Sequence, residues 1–247
     1  MKKTIKRTLV VTGLIVVALV AFPGVRIFEM LRDARGMTPV ETKEIVQGVH
    51  SIRDSKVNLY LVKAAGRYVA FDSGTDSGRV RREMGKLNID PFEVAAVFLT
   101  HGDSDHAGGL ALFQNAAVYL GSEEEQMVDG RKARLFLFKN RLDRKHKLLI
   151  DNETVEAGSV KVTAILTPGH TPGSVCYLVD GRWLFAGDTM SLRAGRADIF
   201  SRAINMDNDA KLESLKKLAR LTGVQAIFTT HFGYSDSFED AMKGFRN

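Results

Sequence analysis

The chain has 247 residues, 45% hydrophobic and 26% charged, with 22 Gly, 5 Pro and a single Cys. This composition excludes a disordered, collagenous or multi-span membrane chain, and the length suffices for one substantial core. The formal charge of +6 belongs mostly to the N-terminus: of the 35 basic residues, Lys2, Lys3, Lys6 and Arg7 fall in an acid-free stretch, leaving 31 against 29 acidic ones. So balanced a remainder gives no nucleic-acid footprint, and none is expected. The lone Cys176 excludes a disulfide framework, so a tightly held metal needs His and carboxylate donors.

Residues 1–7 are basic and residues 8–22 carry no charge before Pro23-Gly24 breaks the run. This pattern predicts a signal peptide or membrane anchor over residues 1–26, with the rest of the chain extracytoplasmic, either anchored or secreted. Ala18-Leu19-Val20-Ala21 offers no clean A-x-A cleavage site, and the absence of a following Cys excludes a lipoprotein anchor. Residues 27–44 read as a polar linker in which Gly36 and Pro39 interrupt any helix, and a folded domain is expected over 45–247.

Within that domain, residues 57–62 and 67–71 predict a strand pair around 63–66, and residues 77–87 have helical composition. The run VAAVFL at 94–99 predicts a buried strand. Residues 118–120, 160–166, 175–179, 183–185 and 226–228 continue the strand series. Leu212, Leu215, Leu218 and Leu221 stand at helical spacing within 209–221. Alternating strands and helices with local hairpins indicate an α/β domain with mixed sheets. Residues 131–147 hold eight Lys or Arg against one Asp, around the apolar run 135–138. That segment reads as a solvated helix packed by one face, as a lid or insertion over a cleft whose run 135–138 lines an acyl groove, or as a surface that meets anionic lipid. His146 within it, and His50, read as polar residues of the structure rather than ligands.

The chemistry concentrates in turns that follow strands. After 94–99 comes Thr100-His101-Gly102-Asp103-Ser104-Asp105-His106, followed by Ala107-Gly108-Gly109. Crowding imidazoles and carboxylates at the end of a core strand is costly unless a cation compensates them. Thr167-Pro168-Gly169-His170-Thr171-Pro172-Gly173 sets His170 in a turn after a strand, Gly187-Asp188-Thr189 does the same for Asp188, and His231 follows the last strand. In an α/β sheet such turns gather into one crevice.

In this order the motifs resemble the metallo-β-lactamase-fold hydrolases, whose signature is H-x-H-x-D-H followed by a His, an Asp and a His in separate loops. The resemblance runs from about Ile45 to the C-terminus. It implies a four-layer αββα sandwich behind the N-terminal segment, and a centre of two divalent metal ions, zinc by family habit. By this resemblance His101, Asp103 and His170 would hold the first ion. Asp105, His106 and His231 would hold the second, and Asp188 would bridge both. Asp72, in Phe71-Asp72-Ser73-Gly74, matches the family's early Asp-x-Gly motif, which supports such a site from behind.

The sequence departs from the signature at Asp103, which stands where the family has its second His. A carboxylate there adds negative charge and a harder donor, which makes iron or manganese more acceptable alongside zinc. The implied activity is hydrolysis of a small ester, lactone, thioester or lactam by a metal-activated hydroxide, with Asp105 as proton acceptor. Two other classes compete: a mononuclear-iron oxidoreductase of the persulfide-dioxygenase kind, and a non-catalytic metal-binding member. The 16 residues after His231 are too few for the helical substrate domain of hydroxyacylglutathione hydrolases, so a small-molecule substrate in a single compact domain is expected.

Overall fold

The computed structural model of the chain describes residues 24–25, 27–134, 140–200 and 202–246. The strands β1 (Lys43–Val46), β2 (Val49–Asp54), β3 (Val57–Ala64), β4 (Arg67–Phe71), β5 (Val94–Phe98), β6 (Ala117–Gly121) and β7 (Lys147–Leu149) form one sheet in sequence order. The first four pair antiparallel, while β4 to β7 run parallel to one another. The second sheet contains β8 (Thr154–Ala157), β9 (Val160–Leu166), β10 (Val175–Val179), β11 (Trp183–Gly187), β14 (Ala226–Thr229) and β15 (Gly233–Ser235), in the order β15-β14-β11-β10-β9-β8. The strands β12 (Ser191–Arg193) and β13 (Arg196–Asp198) make a separate hairpin.

Both sheets are apolar on both faces, which is why the longest runs of the sequence do not alternate. Between them Tyr60, Phe71, Phe98, Tyr177, Phe185 and Phe228 form the central core, and the Phe71 and Phe185 rings stack at 3.9 Å. Each such ring contributes roughly 1.5–3 kcal/mol by leaving water. On the outer face of the first sheet lies α1 (Ser77–Gly85), whose Val80 and Met84 meet Ile52, Leu59 and Leu61. The short helices α2 (Ser104–Ala107) and α3 (Glu125–Val128) follow β5 and β6. On the far side, α4 (Asn208–Ala219) sets Leu215 and Leu218 against Ile165, Cys176 and Leu184, and α5 (Phe238–Met242) joins the same cluster. Helix, sheet, sheet and helix give the αββα order expected.

The topology also aligns the ends that matter. Strands β4 and β5 are parallel, and β11 is parallel to β14. β9 and β11 both pair antiparallel with β10, so they share the direction of β14. The turns after β4, β5, β9, β11 and β14 therefore open on one edge of the sandwich.

Three expectations need revision or fall outside the described residues. Residues 27–35, expected within a linker, are helical up to Gly36, and their buried Asp33 pairs with Arg193 at 2.8 Å. The residues that read as a polar link therefore dock on the domain through an ion pair. The basic segment 131–147 shows no helix among its described residues, and its apolar run 135–138 lies outside them. The uncharged run 8–22 also lies outside, and among the described residues no helix is long and apolar enough to cross a membrane.

Candidate metal centre

His101 lies three residues past the end of β5, and Asp103 occupies the N-cap position of α2, which carries Asp105 and His106. His170 sits in the turn between β9 and β10, Asp188 just past β11, and His231 just past β14. The structure brings all seven side chains together. His101, His106, His170, Asp188 and His231 are buried, whereas the Asp103 and Asp105 side chains keep 18% and 37% of their surface exposed.

Neighbouring groups aim three of the four rings. The His106 Nδ1–H donates to Asp72 Oδ2 at 2.8 Å, and the His231 Nδ1–H donates to the Lys56 carbonyl at 2.9 Å. The His170 Nδ1–H donates to Asn205 Oδ1 at 3.0 Å, an oxygen that also accepts from the buried Lys211 Nζ. These bonds leave the Nε2 lone pairs facing the common pocket. Asp72, held by the Thr100 N–H and hydroxyl and by Thr230, adopts a left-handed φ of 62°. It stands behind the cluster, touching His106 rather than the pocket.

The inward-facing atoms fall into two groups. His101 Nε2 lies 3.4 Å from Asp103 Oδ2, which is 3.6 Å from His170 Nε2, and His170 Nε2 is 3.4 Å from Asp188 Oδ2. In the other group His231 Nε2 is 3.4 Å from Asp105 Oδ2 and 3.3 Å from Asp188 Oδ1, and His106 Nε2 is 3.5 Å from that same oxygen. The two oxygens of Asp188 thus face different groups. Four donors at about 2.0–2.2 Å from one tetrahedral ion stand about 3.3–3.6 Å apart, so these separations fit a divalent cation. Among the described residues, buried His101 Nε2, His106 Nε2 and Asp188 Oδ1 have no hydrogen-bond partner, a costly arrangement that a cation would relieve.

Charge is strongly coupled across the cluster. Burial opposes ionisation of Asp105, yet His106 and His231 hold its carboxyl down at about 2. Burial likewise disfavours a charged His231, but Asp188 and Asp105 outweigh it and raise the imidazole to about 10. Asp188 is held well below the usual carboxylate range by His231 and His106, against the effect of burial. His170 goes the other way, lowered to about 3 by burial and by the nearby Arg134 guanidinium.

Sequence reasoning missed several groups that shape the site. Arg134 projects from the basic segment into the cluster, with Nε 3.1 Å from Asp103 Oδ2 and Nη2 2.8 Å from His170 Nε2. Glu124 joins two donor loops, accepting from the Gly102 N–H at 2.8 Å and the Thr171 hydroxyl at 2.6 Å. Lys211 lies buried beneath the site, donating to the carbonyls of Asp188 and Phe200. No spacing in the sequence links these residues to the motifs. His146 pairs with Glu125 at 2.7 Å, and His50 packs edge-on against Tyr68, so neither joins the centre. Cys176 is buried among Thr167 and Thr189, away from solvent.

The profile of the metallo-beta-lactamase superfamily matches residues 52–231, a span that runs from β2 through the last of the seven donors. The chain belongs to the metallo-β-lactamase superfamily of metallo-hydrolases. It is 30% identical over 125 residues to the "Probable polyketide biosynthesis zinc-dependent hydrolase BaeB" of Bacillus velezensis, covering 49% of each chain. It is 28% identical over 194 residues to a hydroxyacylglutathione hydrolase of Bdellovibrio bacteriovorus, covering 76% of this chain and 68% of that one. The alignment with the Bacillus protein thus spans about half of that relative's length. A metallo-beta-lactamase family protein of Thermus thermophilus superposes with a TM-score of 0.64 at 23% identity, over 82% of this chain and 79% of the other, and shares the fold.

Proposed function

We propose that the chain hydrolyses a small ester, lactone, thioester or lactam with a centre of two divalent metal ions. The observation that carries this reading is the convergence of seven donors into two groups that share Asp188, at separations suited to coordination. His101, Asp103, His170 and Asp188 would hold one ion, and Asp105, His106, His231 and Asp188 the other. Bound there, divalent cations supply Lewis acidity toward a carbonyl oxygen and bring a water's pKa toward neutrality. Zinc suits the five-sevenths of a set made by four imidazoles and Asp188, while Asp103 also admits iron or manganese.

The chain's own residues do the rest. Asp105, the more exposed of the two α2 carboxylates and ionised at neutral pH, is placed to accept a proton on the carboxylate oxygen that its Oδ2 donor role leaves over. Asp72, Asn205 and the Lys56 carbonyl hold imidazole orientation, so that no ring turns during turnover. A groove lined by Glu123, Arg131, Lys132, Pro168, Pro172 and Met206 runs beside the His170 turn, with none of the seven donors in its lining. The hydrolytic relatives support the reaction class.

The test is chelation followed by metal return, with turnover scored on chromogenic ester, lactone, thioester and β-lactam substrates. Activity on at least one class, lost on chelation and restored by zinc, iron or manganese, is the expected outcome. Full metal content without turnover of any class would overturn it. The same proposal places the domain outside the cytoplasm behind an N-terminal anchor or signal. Its support is the basic flank, the uncharged run 8–22, and the exposed Val25, Ile27, Phe28 and Leu31 that follow.

A further inference from the structure

We propose that Arg134 competes with the first of the two metal ions, so that the centre loads in two well-separated steps; the inference rests on the metallo-hydrolase reading. The argument begins with the departure at Asp103. Replacing an imidazole by a carboxylate adds a negative charge to a cluster that already holds Asp105 and Asp188. The chain answers it with a cation of its own: the Arg134 Nε lies 3.1 Å from Asp103 Oδ2, and Asn140 donates to the other oxygen at 2.9 Å. Arg134 is buried, with 6% of its surface exposed, so this is no solvated surface pair.

The same guanidinium reaches His170. Its Nη1 donates to the His170 carbonyl, and its Nη2 lies 2.8 Å from His170 Nε2. Because the His170 Nδ1–H is committed to Asn205 Oδ1, Nε2 carries the single lone pair of that ring. One lone pair serves either an Arg N–H or a metal ion. Loading the first ion therefore requires Arg134 to leave both His170 Nε2 and Asp103 Oδ2, two of the atoms that ion needs. The other group, Asp105, His106, His231 and the facing oxygen of Asp188, has no such occupant among the described residues. It is the tight half, and the half containing Asp103 is the weak one.

Wild-type protein stripped by chelation, titrated with zinc against a chromophoric competitor, should bind two equivalents in distinct steps. Arg134→Gln removes the competitor and should tighten the weak step by about tenfold or more, leaving the tight step unchanged. Arg134→Lys keeps a cation beside Asp103 and should keep the steps apart, which separates loss of charge from misfolding. Coincident steps in the wild type, an unchanged weak step in Arg134→Gln, or merged steps in Arg134→Lys would each overturn the proposal while leaving the hydrolase reading standing. Failure of wild-type protein to bind zinc, iron or manganese would remove both.

Discussion

Asp188 is the residue on which the two donor groups depend, because each of its oxygens serves one of them. Asp188→Asn keeps the shape, removes the charge and turns one oxygen into an N–H donor. The variant should lose bound metal and turnover together, measured by elemental analysis beside an activity assay. Asp72→Asn acts one step removed: His106 loses the charge that orients it, and metal affinity should fall by about 10–100-fold. The sign of the pH response follows from His170, whose folded pKa of about 3 lies below its ordinary 6.5. A depressed imidazole contributes stability that is complete above 6.5 and lost as pH falls toward 3. The chelated protein should therefore melt at progressively lower temperature across that window, and a flat profile would contradict the assignment. The seven candidate donors and Asp72 were visible as a group in the sequence because they sit in short, unusual turns. Arg134 was not, since its partner Asp103 is remote in the chain and a segment with eight scattered basic residues reads as a solvated face.

Among the elements, the turns after the strands are held by backbone geometry as much as by side chains. Gly187, with φ of +51°, ends β11 where an added Cβ would stand 2.4 Å from the Thr100 hydroxyl that supports Asp72. Gly187→Ala should destabilise by about 1–3 kcal/mol and release metal, read from urea unfolding and metal content. The start of α4 has a second duty. Asp207 caps it by accepting from the Asp209 and Ala210 N–H groups, and its own N–H donates to the Gly169 carbonyl beside His170. Asp207→Ala should cost about 1 kcal/mol and loosen the His170 turn. Strands β9 and β10 were legible to the residue, because buried β-branched runs bounded by Gly and Pro have few alternatives. The six-residue β2, the hairpin of β12 and β13, and the short edge strands β1, β7, β8 and β15 were not. Three or four residues carry too little periodicity to stand apart from a loop. The helix over 27–35 was hidden because its docking contact, Asp33 with Arg193, is an ion pair rather than an apolar stripe.

At the scale of the whole molecule, the anchor form of the N-terminal reading predicts that the full chain sediments with membranes after cell lysis and that deleting residues 2–22 releases it, whereas the signal form predicts a shortened chain in the exported soluble fraction. Release of the full-length, uncleaved chain into the soluble fraction would refute an anchor. The donor set is also divided between the two halves of the sandwich. His101, Asp103, Asp105 and His106 belong to the sheet that ends at β7, whereas His170, Asp188 and His231 belong to the sheet that begins at β8. The connection between the halves is the short turn at 150–153. Nicked in that turn, the protein becomes a pair of complementary fragments, neither of which owns a complete coordination shell. If the two groups hold cations as proposed, their reassembly would depend on free cation concentration as well as on buried aromatic surface, and the enzyme's own fold would become a cation-operated fastener.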